Sequence, residues 1–213
     1  MSVTALLVTH DGARWLPAVL AGLGGQTHPV DRVAVVDTTS RDDSVALVRE
    51  ALGAGAPGAT GLVLDVVPGS TSYPAAVRHG LGLVPPVVPD EAADEWVWLL
   101  HDDSNPDPTA LAELLAAARA HPDAAILGPK LREWPSLRRL LEVGLTITGT
   151  GHRETGLERG EYDQGQHDAV REVLAVNTAG MLVRRQVLES LGGLDEELPI
   201  FGNDIDFGWR AAL

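Results

Sequence analysis

Residues 33–52 read VAVVDTTSRDDSVALVREAL. The run from Val33 to Val36 is apolar and β-branched and closes at Asp37, and apolar residues return at helical spacing from Val45 to Leu52. That is a strand, a polar turn and a helix, with Ser40-Arg41-Asp42-Asp43 resembling a capping box at the start of the helix. The same unit lies upstream, where Val3 to Thr9 is a β-rich run, His10-Asp11-Gly12 a turn, and Arg14 to Leu23 an amphipathic helix.

Downstream the rhythm continues. Leu62–Val67 reads as a strand, Tyr73–Leu83 as a helix, Trp96–Leu100 as a strand, Pro108–Ala120 as a helix and Ala124–Leu127 as a fifth strand. The Gly/Ala/Pro segment Gly53–Gly61 is short enough for a loop. Such alternation predicts an α/β fold with a mostly parallel sheet covered on both faces. Beyond Pro129 the pattern loosens: Arg132 to Arg171 is polar, with one modest β run at Gly144–Thr148, and a further run follows at Val173–Asn177. This half is expected to be irregular and partly antiparallel. A helix at Arg185–Leu191 stops at Gly192-Gly193, and a last helix begins near Asn203 and is cut by the end of the chain. One domain is expected over 1–213, its halves 1–130 and 131–213, the second incomplete at its C-terminal end.

Composition narrows the function. The 213 residues are 45% hydrophobic and 22% charged, which suits a globular domain with a substantial core. Sixteen Lys and Arg against 30 Asp and Glu give a net charge of -14, which excludes a nucleic-acid phosphate surface. With no cysteine, a disulfide framework, a thiolate nucleophile and a Cys-built zinc site are excluded as well. Charged residues break every apolar run before membrane-spanning length, and the N-terminus lacks the form of a signal peptide. A cytoplasmic setting is expected.

Ligands of open α/β sheets gather beyond the carboxyl ends of the strands. Four polar segments qualify: Thr9-His10-Asp11, Asp37-Thr38-Thr39-Ser40, His101-Asp102-Asp103-Ser104 and Asn203-Asp204-Ile205-Asp206. The third is the most informative, because a strongly apolar strand is broken by a histidine and two carboxylates. Alternation puts His101 and Asp103 on one face, where they can hold a divalent cation, and Asp102 on the other. Oxygen ligands select Mg²⁺ or Mn²⁺, and an imidazole favours Mn²⁺. The plainer alternative is that Asp102, Asp103 and Asn105 cap the next helix. Asp204 and Asp206 equally suit a helix's first turn. Trp96, Trp98 and Trp134 read as core or pocket wall and Trp15 as core, while His10 stays open as a site residue. No P-loop or dinucleotide fingerprint is present.

The order of these segments resembles the inverting glycosyltransferases of family 2, which have a GT-A fold. VTALLVTHDGARWLP is similar to the family's first strand and loop, and VAVVDTTSRDDS to the strand that ends in its nucleotide-binding aspartate. WVWLLHDDSNPDP resembles its DxD segment, LAVNTAGMLVRRQVLESLGGLDEELP its acceptor-side strand, turn and helix, and FGNDIDFGWR its catalytic acidic segment. The resemblance covers nearly the whole chain. It implies a GT-A-like, Rossmann-like sheet with a smaller acceptor-side half. It implies transfer of a sugar from a nucleoside-diphosphate sugar donor to a hydroxyl of a glycan or lipid-linked acceptor, in cell-wall or surface polysaccharide synthesis.

Carried over by position, Asp37 contacts the nucleobase with Thr9 and Asp11 nearby, Asp102 approaches the ribose or sugar, Asp103 holds the metal, beside the His101 that strand alternation adds, and Asp204 is the general base. Two positions depart from the family: His101 stands where an acidic residue is usual, and Asn203 precedes the base where Glu or Asp is common. Family members often continue into membrane segments, so the expected location extends to the cytoplasmic face of a membrane. A catalytically silent nucleotide-sugar or partner-binding domain is the alternative. A nucleotidyltransferase is a third, for which the single lysine, Lys130, offers little phosphate-loop chemistry.

Overall fold

The computed structural model describes residues 1–53, 61–84 and 95–213. The expected Gly53–Gly61 loop falls on residues 54–60, outside the described ones. Four βα units come first: β1 (Ser2–Thr9) and α1 (Leu16–Gly24), β2 (Arg32–Asp37) and α2 (Ser44–Gly53), β3 (Gly61–Val66) and α3 (Tyr73–Leu83), β4 (Glu95–His101) and α4 (Ala110–Ala120). The short strands β5 (Ile126–Leu127), β6 (Leu131–Arg132), β7 (Leu140–Glu142), β8 (Thr146–Ile147), β9 (Arg153–Glu154) and β10 (Leu182–Arg184) follow, with α5 (Arg185–Ser190) and α6 (Asn203–Ala212).

The central sheet runs β3-β2-β1-β4-β10-β5. β1 to β4 are parallel and β10 alone opposes its neighbours β4 and β5. Residues inside β1, β2 and β4 are buried on both faces, which is why they read as continuous apolar runs. Trp96, Trp98 and Leu100 pack with Leu16, Val48 and Leu115 from α1, α2 and α4. Val97 and Leu99, from the other face of the same strand, pack with Val77, Leu188 and Phe207 from α3, α5 and α6. At the end of the sheet away from the site, buried Glu95 meets the guanidinium groups of Arg32 and Arg185.

Four expectations change. Val173–Asn177 is not a strand but makes a single bridge from Ala175 to Leu145. α6 lies against it instead, with Gly208 packed on the Leu174 carbonyl, and the strand that joins β4 is β10. Gly144–Thr148 is strand only at Thr146–Ile147, which pairs with β9. Ser40 does not open α2: Asp42 and Asp43 do, through Ser44 N donating to Asp42 Oδ1 at 3.0 Å and Leu47 N to the Asp43 carbonyl at 2.9 Å. Trp15 is not core but stands just before α1, 37% exposed, with the Arg14 guanidinium stacked on it, because the helix's buried stripe begins at Leu16.

Candidate active site

The strand order reverses direction between β1 and β4, so the loops after these strands frame a crevice at the carboxyl edge of the sheet. Register fixes what stands there: Thr9 is opposite Asp37, and Val8 is opposite His101. The first three predicted polar segments therefore converge because their strands end level with one another.

On the β1–β2 side the polar groups bind each other. Asp102 Oδ2 accepts the Thr9 hydroxyl at 3.1 Å and the His10 amide at 2.8 Å. Burial raises the Asp102 pKa, and the two donated hydrogen bonds act against that rise. A Cβ at residue 12 would stand 2.4 Å from Asp102 Oδ2, so only glycine lets this carboxylate reach the β1 loop. Asp11, at φ 51°, accepts the Arg41 amide at 2.6 Å and donates its own amide to Ser40 Oγ at 2.9 Å. Asp37 is fully buried, accepting the Ser40 amide at 2.9 Å and the Ser40 hydroxyl at 2.5 Å. His10 Nδ1 lies 2.9 Å from Thr38 Oγ1.

On the β4 side a cavity of about 610 Å³ is lined by His101, Asp103 and Asp204. β4 ends at His101, so Asp102 and Asp103 occupy the following turn and not the strand; the turn still sends Asp102 to the β1 loop and Asp103 to the cavity. Neither caps α4. That helix is opened by Asp107, whose Oδ1 accepts the amide and hydroxyl of Thr109, each at 3.1 Å. His101 Nε2 lies 2.9 Å from Thr178 Oγ1, and its ring meets the edge of Tyr73. Burial lowers its pKa against the opposing pull of Asp103, Asp102 and Asp204, which favours the neutral imidazole.

Asp204 sits in the first turn of α6, after Gly202 at φ 85°, and is nearly buried. Its Oδ1 accepts the Ile205 amide at 2.8 Å, and its Oδ2 lies 3.5 Å from Arg153 Nη2. The same guanidinium nitrogen donates to Glu142 Oε2 at 2.7 Å. Glu142 is itself buried and accepts the amide of Asn177 at 3.1 Å and its side chain at 3.2 Å. Asp206 is occupied elsewhere, paired with Arg210 at 2.6 Å. Trp98 and half-exposed Trp134 form cavity wall, and Ile200 and Phe201 stand exposed at its rim.

The family model described as "Glycosyltransferase like family 2" matches residues 3–213. The chain belongs to glycosyltransferase family 2. Among curated relatives of this glycosyltransferase, the O-antigen biosynthesis protein RfbC of Myxococcus xanthus is 32% identical over 124 residues, which are 56% of this chain and 10% of RfbC. N-acetylglucosaminyl-diphospho-decaprenol L-rhamnosyltransferase of Mycobacterium tuberculosis is 30% identical over 135 residues, 55% of this chain and 41% of that protein. The chain thus corresponds to less than half the length of either relative. Solved structures share the fold. The mannosyltransferase PcManGT from Pyrobaculum calidifontis, in complex with GDP-Man and Mn²⁺, superposes with a TM-score of 0.66 at 17% identity, over 99% of this chain and 51% of that one. S. aureus TarS in complex with UDP superposes at 0.65, also at 17% identity, over 99% of this chain and 55% of that one. The fold of this transferase is GT-A, a mostly parallel sheet flanked by helices.

The structure therefore gathers the predicted residues of the glycosyltransferase into two adjoining groups. Thr9, Asp11, Asp37 and Asp102 form a hydrogen-bonded group around the carboxyl ends of β1 and β2, and His101, Asp103 and Asp204 belong to the cavity. Sequence reasoning missed Glu142, Arg153, Asn177 and Thr178. Glu142 carried a signal, a lone carboxylate in the apolar run Leu140 to Leu145, whereas Arg153 lay unmarked in a polar stretch.

Proposed function

We propose that the chain transfers a sugar, with inversion, from a nucleoside-diphosphate sugar to a hydroxyl of a glycan or lipid-linked acceptor in surface polysaccharide synthesis. The observation that carries the reading is the single cavity shared by Asp103 and Asp204 at the switch point of the sheet. Asp204 takes the proton of the acceptor hydroxyl as that oxygen attacks the anomeric carbon. The carbon–oxygen bond to the diphosphate breaks on the opposite side, and the nucleoside diphosphate departs with the bonding pair. One carboxylate acting as base, without an enzyme nucleophile, gives inversion.

Asp103 would hold a divalent cation, Mn²⁺ or Mg²⁺, which when bound offsets the charge of the leaving diphosphate. The donor chemistry suits it: the Asp103 carboxylate lines the cavity, and a hard divalent cation takes oxygen ligands. His101 would join through Nδ1, or through Nε2 on releasing Thr178. The rhamnosyl and mannosyl transfers named for similar proteins, the mannosyltransferase with GDP-Man and Mn²⁺, support the class of reaction.

The test is titration calorimetry with UDP, dTDP and GDP, with and without Mn²⁺. Affinity should depend on the cation, and Asp103→Ala should abolish that dependence; affinity indifferent to chelator sinks the metal. In the whole protein, Asp204→Asn should bind nucleotide normally and transfer sugar at least about a hundredfold more slowly. Full transfer by Asp204→Asn would remove it as the base, and a wild-type protein that binds donor without turnover favours a silent domain.

A further inference from the structure

Beside the catalytic cavity lies a second hollow of about 850 Å³, lined by residues of the 153–167 segment and sharing Arg153 and Thr155 with the first. The mechanism leaves it unused. Its wall carries a half-exposed aromatic ring, Tyr162, together with the carboxylate of Glu158 and the amides of Gln164 and Gln166.

The wall is built, because hydrogen bonds fix the segment at several points. The Asp163 amide donates to the Arg138 carbonyl at 2.8 Å and the Leu140 amide to the Glu161 carbonyl at 2.9 Å, tying the segment to β7 and the loop before it. Lys130 reaches Asp163 at 2.8 Å and Asp168 at 2.5 Å. Glu161 accepts Gln166 Nε2 at 2.7 Å and the Glu158 amide at 2.8 Å, with His167 Nε2 at 2.9 Å. The Arg139 guanidinium lies over the Tyr162 ring, 5.5 Å from its centre.

The chemistry of the wall selects its occupant. Three carboxylates of the lining, Glu154, Glu158 and Glu161, outweigh its one guanidinium, Arg153, so an anionic headgroup is disfavoured. Among the described residues no three ligating groups converge on a metal ion, and the polar lining does not suit an acyl chain. The lining fits a neutral polyhydroxy ligand. Its hydroxyls can donate to carboxylates and amide oxygens, and its C–H face can lie on an aromatic ring. Position completes the argument, since a ligand here passes Arg153, which stands 3.5 Å from Asp204.

We propose that this hollow is an acceptor subsite for a neutral glycan longer than one sugar: the attacking hydroxyl lies at Asp204 and the following sugar rests against Tyr162. The proposal rests on the transferase reading above and names its acceptor class.

Saturation-transfer NMR on the full chain tests it, with mono-, di- and trisaccharides of N-acetylglucosamine, mannose and rhamnose and a phosphorylated trisaccharide of each as probes. At least one neutral series should bind more tightly once a second sugar is present. Tyr162→Ala, and independently Gln164→Ala should the first variant fail to fold, should weaken that binding about fivefold with UDP or GDP affinity unchanged. Binding by none of the sugars, affinity independent of chain length, tighter binding of the phosphorylated trisaccharide, or full affinity in both folded variants would each overturn it. Nucleotide binding without sugar binding removes the subsite and leaves the transferase. Sugar binding that needs Tyr162, without nucleotide binding, leaves the hollow and removes the transferase.

Discussion

Asp37 and Asp102 stand at the same edge of the sheet, and their partners give them different freedom. Asp102 faces the β1 loop and holds two of its donors. Each oxygen of Asp37 already accepts one hydrogen bond from Ser40 and the residue is fully buried, so a nucleobase reaches it most directly where the Ser40 hydroxyl turns away. Two variants separate a direct contact from a role in shaping the loop. If Asp37 binds the base itself, Asp37→Ala should weaken nucleoside binding about tenfold, as loss of a charge-assisted hydrogen bond of ~1.5 kcal/mol does, whether or not metal is present. Ser40→Ala should then leave affinity unchanged or improved. Equal losses in the two variants, measured by calorimetry with uridine and guanosine, would assign Asp37 to the loop instead.

At the scale of elements, α6 carries Asp204, and what seats α6 is a glycine. Gly208→Ala in a helix interior ordinarily gains about 1 kcal/mol from propensity. Here the added Cβ would stand 2.4 Å from the Leu174 carbonyl oxygen, which is backbone and cannot swing aside. Overpacking of this kind costs roughly 1–3 kcal/mol, so packing should win. Gly208→Ala should lower the melting temperature and slow transfer, leaving nucleotide affinity intact; a melting temperature raised by the substitution would show that α6 is not seated as described. The 153–167 segment yields a pH test. Hydrogen bonds, foremost that from Gln166, pull Glu161 from 4.5 down to about 2. A carboxylate with a lowered folded pKa stabilises above its unfolded value and loses that contribution as pH falls. Resistance of this segment to proteolysis should therefore decline between about pH 4.5 and 2. Glu161→Gln should flatten the decline, and an unchanged pH profile in that variant would discount the brace. The βα units were legible because strands buried on both faces must be apolar throughout. Val173–Asn177 misled for the same physical reason: a segment buried under α6 needs apolar residues as much as a strand does, and only long-range pairing tells them apart.

Across the whole molecule, the site was legible where it hangs on strand ends and illegible where it hangs on loops. His101 and Asp37 follow apolar runs, and parallel register brings such ends level. The contact of Arg153 with Asp204 spans 51 positions and obeys no local period, so no pattern in the sequence could announce it. Charge is the property that belongs to the entire chain. Sixteen Lys and Arg can neutralise at most sixteen of the 30 Asp and Glu, leaving the net charge of -14 to repel itself in the compact state. Salt acts on both sides of this balance. It weakens exposed ion pairs such as Arg78–Glu196, worth ~0–1 kcal/mol each, and it screens the repulsion, the screening length falling from about 30 Å at 0.01 M to about 10 Å at 0.1 M. The surplus of like charges is spread over the molecule at separations within that range, whereas paired charges sit within a few ångströms, where screening changes least. Repulsion should therefore lose more than attraction, and the melting temperature at pH 7 should rise as sodium chloride is raised from about 0.01 to 0.1 M. A fall over that interval, measured by scanning calorimetry, would mean that local ion pairs and not the net charge govern the electrostatics of the fold.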